Sequence, residues 1–452
     1  MKKTLSVCIF IMFIVTSFAT VYATESIYGP TGVLYHDKAK SLNGYIVFAP
    51  MMGCKTTYMI DIKGNLVHKW DSKYPPGLYA ELLPNGNLLR GGRIKNPPTT
   101  IGGASGIVQE IDWNGKVVWE YKMHSPTEVQ HHTFDRMPNG NTLILGWEKK
   151  TIDEAIAKGR DPKTIPVSVF GRGKWHYDFW VDFVREVDKN GKTVWEWHVW
   201  DHIGPGPHQL DINFTLPKPV GKLYSDFDWT HFNTVGYIPE KDQVIMNSRN
   251  FSEIYIVDHK TGKMVYRWGN PAAYGQGRGP SWYDNGDQKI FGSHSAKWVG
   301  KNRVIVFDNG SERPEGNRSA AMEIDIKKNK IVWEYEAKHS TSFYSYRQGA
   351  VQRLPNGNTL ITSTHNGHLI EVTRSKKVVW DYVSPVRNGK MHCWYKDGDG
   401  HNRLNNMIHR AHMYGADYPG LKGKDLTPKG LLADCPEFWK IYNTAGDGMA
   451  KY

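Results

Sequence analysis

Three histidines, His132, His231 and His294, fall at corresponding steps of neighbouring repeats in this 452-residue chain. Equivalent positions in a repeated fold are equivalent places in space, so the three imidazoles are expected to share one centre. Arg249 stands seven residues beyond the turn of its unit, and His365 takes the same step in a later one. Asn233 follows His231 by two residues, which on a strand puts both on one face. His131 directly precedes His132 and is the alternative to it. Guanidinium, imidazole and amide donors converging on one point suit a tetrahedral oxyanion such as sulfate or phosphate, with the arginine offering a bidentate fork. One neutral imidazole in such a set can act as nucleophile while the others neutralise charge and move a proton. Three histidines could instead hold zinc, but a guanidinium beside a divalent cation is costly, so no metal is expected. No carboxylate cluster of the kind a glycosidase needs accompanies them.

Short strands and tight turns must position these side chains. A Pro-Asn-Gly-Asn hairpin occurs at Leu83–Asn87, Met137–Asn141 and Leu354–Asn358, and Asn-Gly is a strong hairpin signal because both residues tolerate positive φ. Strands of the type Gly-Lys-Val-Val-Trp-Glu-Tyr recur at Gly64–Trp70, Gly115–Tyr121, Gly191–Trp197, Gly262–Trp268, Lys330–Tyr335 and Lys376–Tyr382. They close six units that start near Tyr45, Leu78, His132, His231, His294 and Gly349. The expected fold is all-β, a six-bladed β-propeller over residues 44–385. In a propeller the first strand of each blade is innermost, so the histidines would meet at one end of the axial channel. Trp119, Trp195, Trp333 and Trp380 are expected to pack between blades. Longer connections at Asp201–Asp226 and Pro271–Asp287 have the length of functional loops. Residues 24–43 form an N-terminal segment with no separate β-domain, and 386–452 a C-terminal extension that packs on the propeller and closes its ring.

Composition agrees with a turn-rich β protein: 13% aromatic residues, 17 Trp and 45 Gly. Residues 1–23 read as a signal peptide, with Lys2 and Lys3 before an apolar run from Val7 to Phe18 and Val21-Tyr22-Ala23 at the cleavage site. The protein is therefore expected to be exported, periplasmic or extracellular according to the host, with no membrane span after cleavage. Losing the two lysines takes the formal charge from +12 to +10, which suits an anionic substrate. The charge is not gathered into runs and no binding motif accompanies it, so nucleic acid is not expected as a partner. Of four cysteines, Cys54, Cys393 and Cys435 would remain after cleavage. Cys393 and Cys435 could pair with the help of a disulfide-forming oxidoreductase. The oligomeric state is left open.

Several segments in this order resemble the bacterial arylsulfate sulfotransferases that work without a nucleotide sulfate donor. Gly44-Tyr45-Ile46-Val47-Phe48-Ala49-Pro50 with Thr57–Asp61 looks like that family's first blade, and His131-His132 like its third. Asp228-Trp229-Thr230-His231-Phe232-Asn233 followed by Asn247-Ser248-Arg249 matches its His-x-Asn and Arg elements. Ser293-His294-Ser295-Ala296 with Phe307-Asp308-Asn309-Gly310 resembles the segment of the transiently sulfated histidine, and Tyr418–Leu421 the C-terminus. The resemblance implies ping-pong sulfuryl transfer from a phenolic sulfate to a phenol through a sulfo-histidine at His294. His132, His231, Asn233 and Arg249 would hold the sulfuryl oxygens, and one of the two histidines would protonate the leaving phenolate. His131, His365, Trp229 and Tyr346 would belong to the substrate pocket; no metal or organic cofactor is implied. The chain departs from the family pattern at Ser295, where an acidic residue is common, and unit five is one residue short between His294 and its turn. Two other readings compete. A propeller polysaccharide lyase would need a long basic groove, where aryl transfer needs a compact aromatic pocket near Trp229, Phe232 and Tyr346. A non-catalytic binding module for anionic ligands has no reason to align three histidines and an arginine. Fold alone separates none of these.

Overall fold

The computed structural model describes residues 31–51, 53–164, 179–214, 228–387, 390–391 and 406–432. The signal-peptide reading and the Cys393–Cys435 pair lie outside the described residues.

Six antiparallel sheets are arranged as blades, and each blade runs outward from an inner strand. Blade two is Pro76–Leu82, Leu88–Arg93, Gly106–Ile111 and Val117–Lys122. Blade three is Glu128–Arg136, Thr142–Lys150, Phe179–Val187 and Thr193–His198. Blade four is Phe232–Ile238, Gln243–Ser248, Glu253–Asp258 and Met264–Trp268. Blade five is His294–Trp298, Arg303–Asp308, Ala320–Asp325 and Lys330–Glu336. Blade six holds Ala350–Arg353, Thr359–Ser363, His368–Val372 and Val378–Val383, with the N-terminal Gly32–His36 as a fifth, outermost strand.

Blade one differs from the repeat pattern. Tyr45 belongs to its second strand, Gly44–Pro50, followed by Thr56–Asp61 and Leu66–Asp71. Its inner strand is Ile408–Gly415, which pairs with Gly44–Pro50 from Gly44 opposite Gly415 to Pro50 opposite Ile408. The stretch counted with the C-terminal extension thus contains a strand of the propeller itself. This pairing satisfies the inner-side N–H and C=O groups of Gly44–Pro50, which would otherwise stand unpaired.

The hairpins form by a different turn from the one the Asn-Gly pair suggests. Gly86, Gly140 and Gly357 take φ of 86°, 89° and 85°, while the preceding asparagines do not enter the left-handed region. Gly86 N donates to Leu83 O at 2.9 Å and Leu83 N to Asn87 O at 2.8 Å. This is a type I turn with proline at its second position, then a left-handed glycine bulge. The second asparagine ties the hairpin to the third strand: Asn87 to Glu110 at 2.7 Å and Asn358 to Glu371 at 2.6 Å.

Apolar residues gather in slabs between consecutive blades, such as Phe183 and Val187 of blade three against Leu89 and Val108 of blade two. The closing-strand tryptophans finish these slabs. Trp333 Nε1 donates to Arg374 O in blade six and Trp380 Nε1 to Ile62 O in blade one. Trp119 lies under Arg136 of blade three, and Trp195 packs on His259 of blade four. Each bridges to the next blade, as the repeat predicts.

Candidate active site

A left-handed kink, within the inner strand of blade three and at its start in blades four and five, delivers the imidazoles. His132 and His231 themselves take left-handed φ of 47° and 44°; in blade five the left-handed residue is Ser295, with φ 61°, one step after His294. The three histidines therefore share a place without sharing a step, and the short count in unit five is absorbed there. Together with Gly102, Asp228, Arg249, Arg347 and Gln348, they line a small pocket that opens to solvent.

His294 is the best-positioned nucleophile. The residue is 1% exposed, and Nδ1 lies 2.6 Å from Asn309 Oδ1 and 3.0 Å from Gly292 O. The Asn309 amide nitrogen is committed to Ser345 O and Gln348 O, both at 2.6 Å, so its oxygen must face the imidazole. Both neighbours of Nδ1 are then acceptors, which puts the proton on Nδ1 and leaves a lone pair on Nε2. The Gln348 N–H approaches that nitrogen at 3.3 Å. Burial, then the positive charge of Arg249, press the His294 pKa well below 6.5, against the pull of Asn309, so the ring is neutral at pH 7.

The strand carrying His294 is pinned from blade four. Asn233 and Asn247 both donate to Ser293 O at 2.8 Å, and Ser295 N donates to Thr234 Oγ1 at 3.0 Å. Asn233 is fully buried with its amide spent on that carbonyl, so its place here is behind the nucleophile rather than in the pocket wall.

His231 Nδ1 is hydrogen-bonded to the Asp228 carboxylate. The His231 carbonyl accepts from Arg249 N at 3.0 Å, which fixes the arginine's backbone beside it, and Arg249 also donates to Asn250 Oδ1 at 3.0 Å. His132 meets His231 edge to face at 4.9 Å between ring centres. Its neighbour Gly103 takes φ 118°, and a Cβ there would lie 2.1 Å from His132 Cε1, so only glycine leaves room for the ring. Burial and the surrounding imidazoles His231, His131 and His409 hold the His132 pKa well below 6.5.

His131 turns away from the pocket. It stacks on Trp147 at 3.7 Å, lies 3.1 Å from Asp182 Oδ1 through Nε2, and meets His132 Nδ1 at 2.9 Å. Asp182 also accepts from Phe232 N at 2.9 Å and from the Thr230 hydroxyl, tying blade three to the start of blade four's inner strand. Trp229 lies in the core between blades three and four, stacked on Phe179 and edge-on to Phe251, and forms no wall of the pocket. Tyr346 is 39% exposed and stacks on His365 at 4.1 Å, with the Arg347 guanidinium 4.9 Å from its ring. His365 Nδ1 meets Ser345 Oγ at 3.0 Å, and burial pushes its pKa down to about 4, with Arg347 adding to the effect.

Reading the sequence missed Asp228, Asn309, Arg347, Gln348 and the Gly102-Gly103 pair as site residues. Asp228 carried a signal, an acid three residues before a histidine, but the partnership depends on the kink at His231. Arg347 and Gln348 come from a loop whose approach to blade five no local pattern encodes.

A family model described as arylsulfotransferase (ASST) matches residues 35–384. Arylsulfate sulfotransferase AssT of Escherichia coli O6:H1 is 22% identical over 372 residues, covering 70% of this chain and 58% of that protein. Among solved structures, a protein of unknown function from Bacteroides caccae superposes with a TM-score of 0.48 at 11% identity, over 82% of this chain and 98% of its own. A streptogramin B lyase gives 0.41 at 10% identity, over 87% and 96%. At those values neither structure adds to what the strand pairing already establishes.

Proposed function

The chain belongs to the arylsulfotransferase family, and we propose that it moves a sulfuryl group from an aryl sulfate to a phenol by way of His294. The observation that carries this reading is the orientation of His294: Nδ1–H held by Asn309 Oδ1, and a lone pair on Nε2 in a pocket with Arg249.

In the first half-reaction Nε2 attacks the sulfur, the S–N bond forming as the S–O bond to the aryl group breaks. The product is a neutral sulfo-imidazolium, whose Nδ1–H bond to Asn309 Oδ1 strengthens as positive charge develops on the ring. Little covalent help is needed at sulfur; placement and charge stabilisation do most of the work, as in phosphoryl transfer. In this mechanism Arg249, His132 and His231 hold the sulfuryl oxygens. The leaving phenolate takes a proton from His231, whose ring is held through Nδ1 by the Asp228 carboxylate. In the second half, neutral His231 takes the proton of the acceptor phenol, whose oxygen attacks sulfur as the S–N bond returns its electrons to Nε2. Tyr346, exposed and stacked on His365, offers an aromatic face for the aryl groups.

The matched relative is longer than the segment it shares with this chain, and donor and acceptor identity belong to the proposal. Export rests on residues 1–23; among the described residues no helix is long and apolar enough to cross a membrane.

Mixing the protein briefly with 4-nitrophenyl sulfate, without acceptor, tests the reading by intact mass. The expected result is a gain of about 80 Da, one SO3 group on the nucleophile, in the unaltered protein and none in His294→Asn. Nitrophenol release without any adduct would remove the covalent route.

A further inference from the structure

Closing the ring brings a fourth imidazole to the centre. His409, on the C-terminal strand Ile408–Gly415, is 1% exposed. Its ring centre lies 6.0 Å from that of His132 and 6.2 Å from that of His294. Neither of its ring nitrogens has a hydrogen-bond partner among the described residues. Its backbone is engaged, the carbonyl accepting from Thr364 Oγ1 at 3.4 Å. The next residue, Arg410, reaches the other way, to Asn233 O at 2.8 Å and Thr234 Oγ1 at 3.1 Å.

Burying an imidazole with both nitrogens unsatisfied is unfavourable, because the desolvation of each is uncompensated. Such a group between two catalytic histidines points to an oxygen that arrives with the substrate. The spacing agrees. An oxygen hydrogen-bonded to two imidazoles sits roughly 4 Å from each ring centre, and at a near-tetrahedral opening those centres stand about 6 Å apart. His409 keeps that separation from His132, the neighbouring imidazole that also holds a sulfuryl oxygen in the transfer reading. Burial first, then Arg410 and the neighbouring His294 and His231, keep the ring neutral, so it has one N–H to donate and no charge of its own to bury.

We propose that His409 is a further catalytic residue, donating its N–H to a non-bridging oxygen of the sulfuryl group as that group passes to and from His294 Nε2. This rests on the transfer reading given above. The bond is a hydrogen bond throughout: His409 keeps its proton, while the S–O bond to the aryl group breaks and the S–N bond forms. The residue comes from the inner strand of blade one, which is completed only when the C-terminal segment closes the ring.

Stopped-flow release of nitrophenol from 4-nitrophenyl sulfate by full-length His409→Leu, His409→Gln and His409→Asn tests it. His409→Leu should keep a burst of one nitrophenol per site, since His294 is still present. Its burst rate should fall about a hundredfold, the loss typical of one such donor. KM should change by less than about threefold, and one of the two amides should recover at least about tenfold of the lost rate. Asparagine would do so if Nδ1 is the donor, glutamine if Nε2 is. An unaltered rate in His409→Leu overturns the proposal. So does a loss that neither amide recovers and that accompanies a lower unfolding temperature, the mark of a packing residue. If the unaltered protein shows neither burst nor turnover, the transfer reading fails and this proposal falls with it.

Discussion

At the scale of single residues, the site depends on groups that never touch substrate. Asn309 sets the tautomer of His294 only because its own amide is held by two carbonyls, Ser345 O and Gln348 O. Asn309→Ala removes the nearer of the two acceptors that favour a protonated Nδ1, leaving only Gly292 O at 3.0 Å, and so weakens the preference for a lone pair at Nε2. The expected outcome is a ten- to hundredfold slower nitrophenol burst, about the loss seen when outer partners of an active histidine are removed, with KM little changed. Stopped-flow measurement of burst rate against donor concentration checks both parts. Asp228 behind His231 follows the same logic: its carboxylate is hydrogen-bonded to Nδ1 and so fixes which ring nitrogen is left for the substrate.

At the scale of elements, the inner strands act as a set of aimed bases and the hairpins fix their register. Gly44 stands where the closing strand comes nearest, and a Cβ built there would lie 2.0 Å from Tyr414 O. Backbone cannot retreat from that contact without breaking the pairing of Gly44–Pro50 with Ile408–Gly415. Gly44→Ala should therefore destabilise by about 2–4 kcal/mol, at the upper end for a single substitution. Gly140→Ala is the comparison: its left-handed φ of 89° is strained for alanine, but nothing lies within 4 Å. About 1 kcal/mol is expected there. Thermal unfolding of the two variants ranks them, and equal midpoints would mean that the closing strand is not under the constraint described.

At the scale of the whole molecule, buried histidines couple stability to pH. The His365 pKa is near 4 in the fold against 6.5 when exposed. Its folded value is depressed, so between those limits the unfolded chain binds the proton first. The stabilisation is complete above pH 6.5 and is lost as pH falls toward 4. The full shift corresponds to at most about 3 kcal/mol for this one group. Asp135 opposes it: burial and the nearby Glu81 raise its pKa to about 7, so its carboxyl favours the folded state as pH falls. His365→Gln should accordingly flatten the acid-side fall of the unfolding temperature between pH 6.5 and 4.5. A variant with the same slope as the unaltered protein would show that His365 does not titrate as its burial implies.

The sequence alone determined what is local and repeated. Six closing strands, the Asn-Gly hairpins, the inter-blade tryptophans and the candidates His132, His231, His294 and Arg249 were legible because each is written in a pattern of neighbouring residues. What depends on residues far apart in the chain was not. Trp229, adjacent in sequence to the site, is turned into the core, while His409, 115 residues beyond His294, is brought to its side. The left-handed kinks that turn His132 and His231 toward the axis, the carbonyl pair that orients Asn309, and the closure of blade one by the C-terminal strand were decided by packing. Period and propensity fix the direction of a strand, but only contact between distant strands fixes which side chains meet at its end.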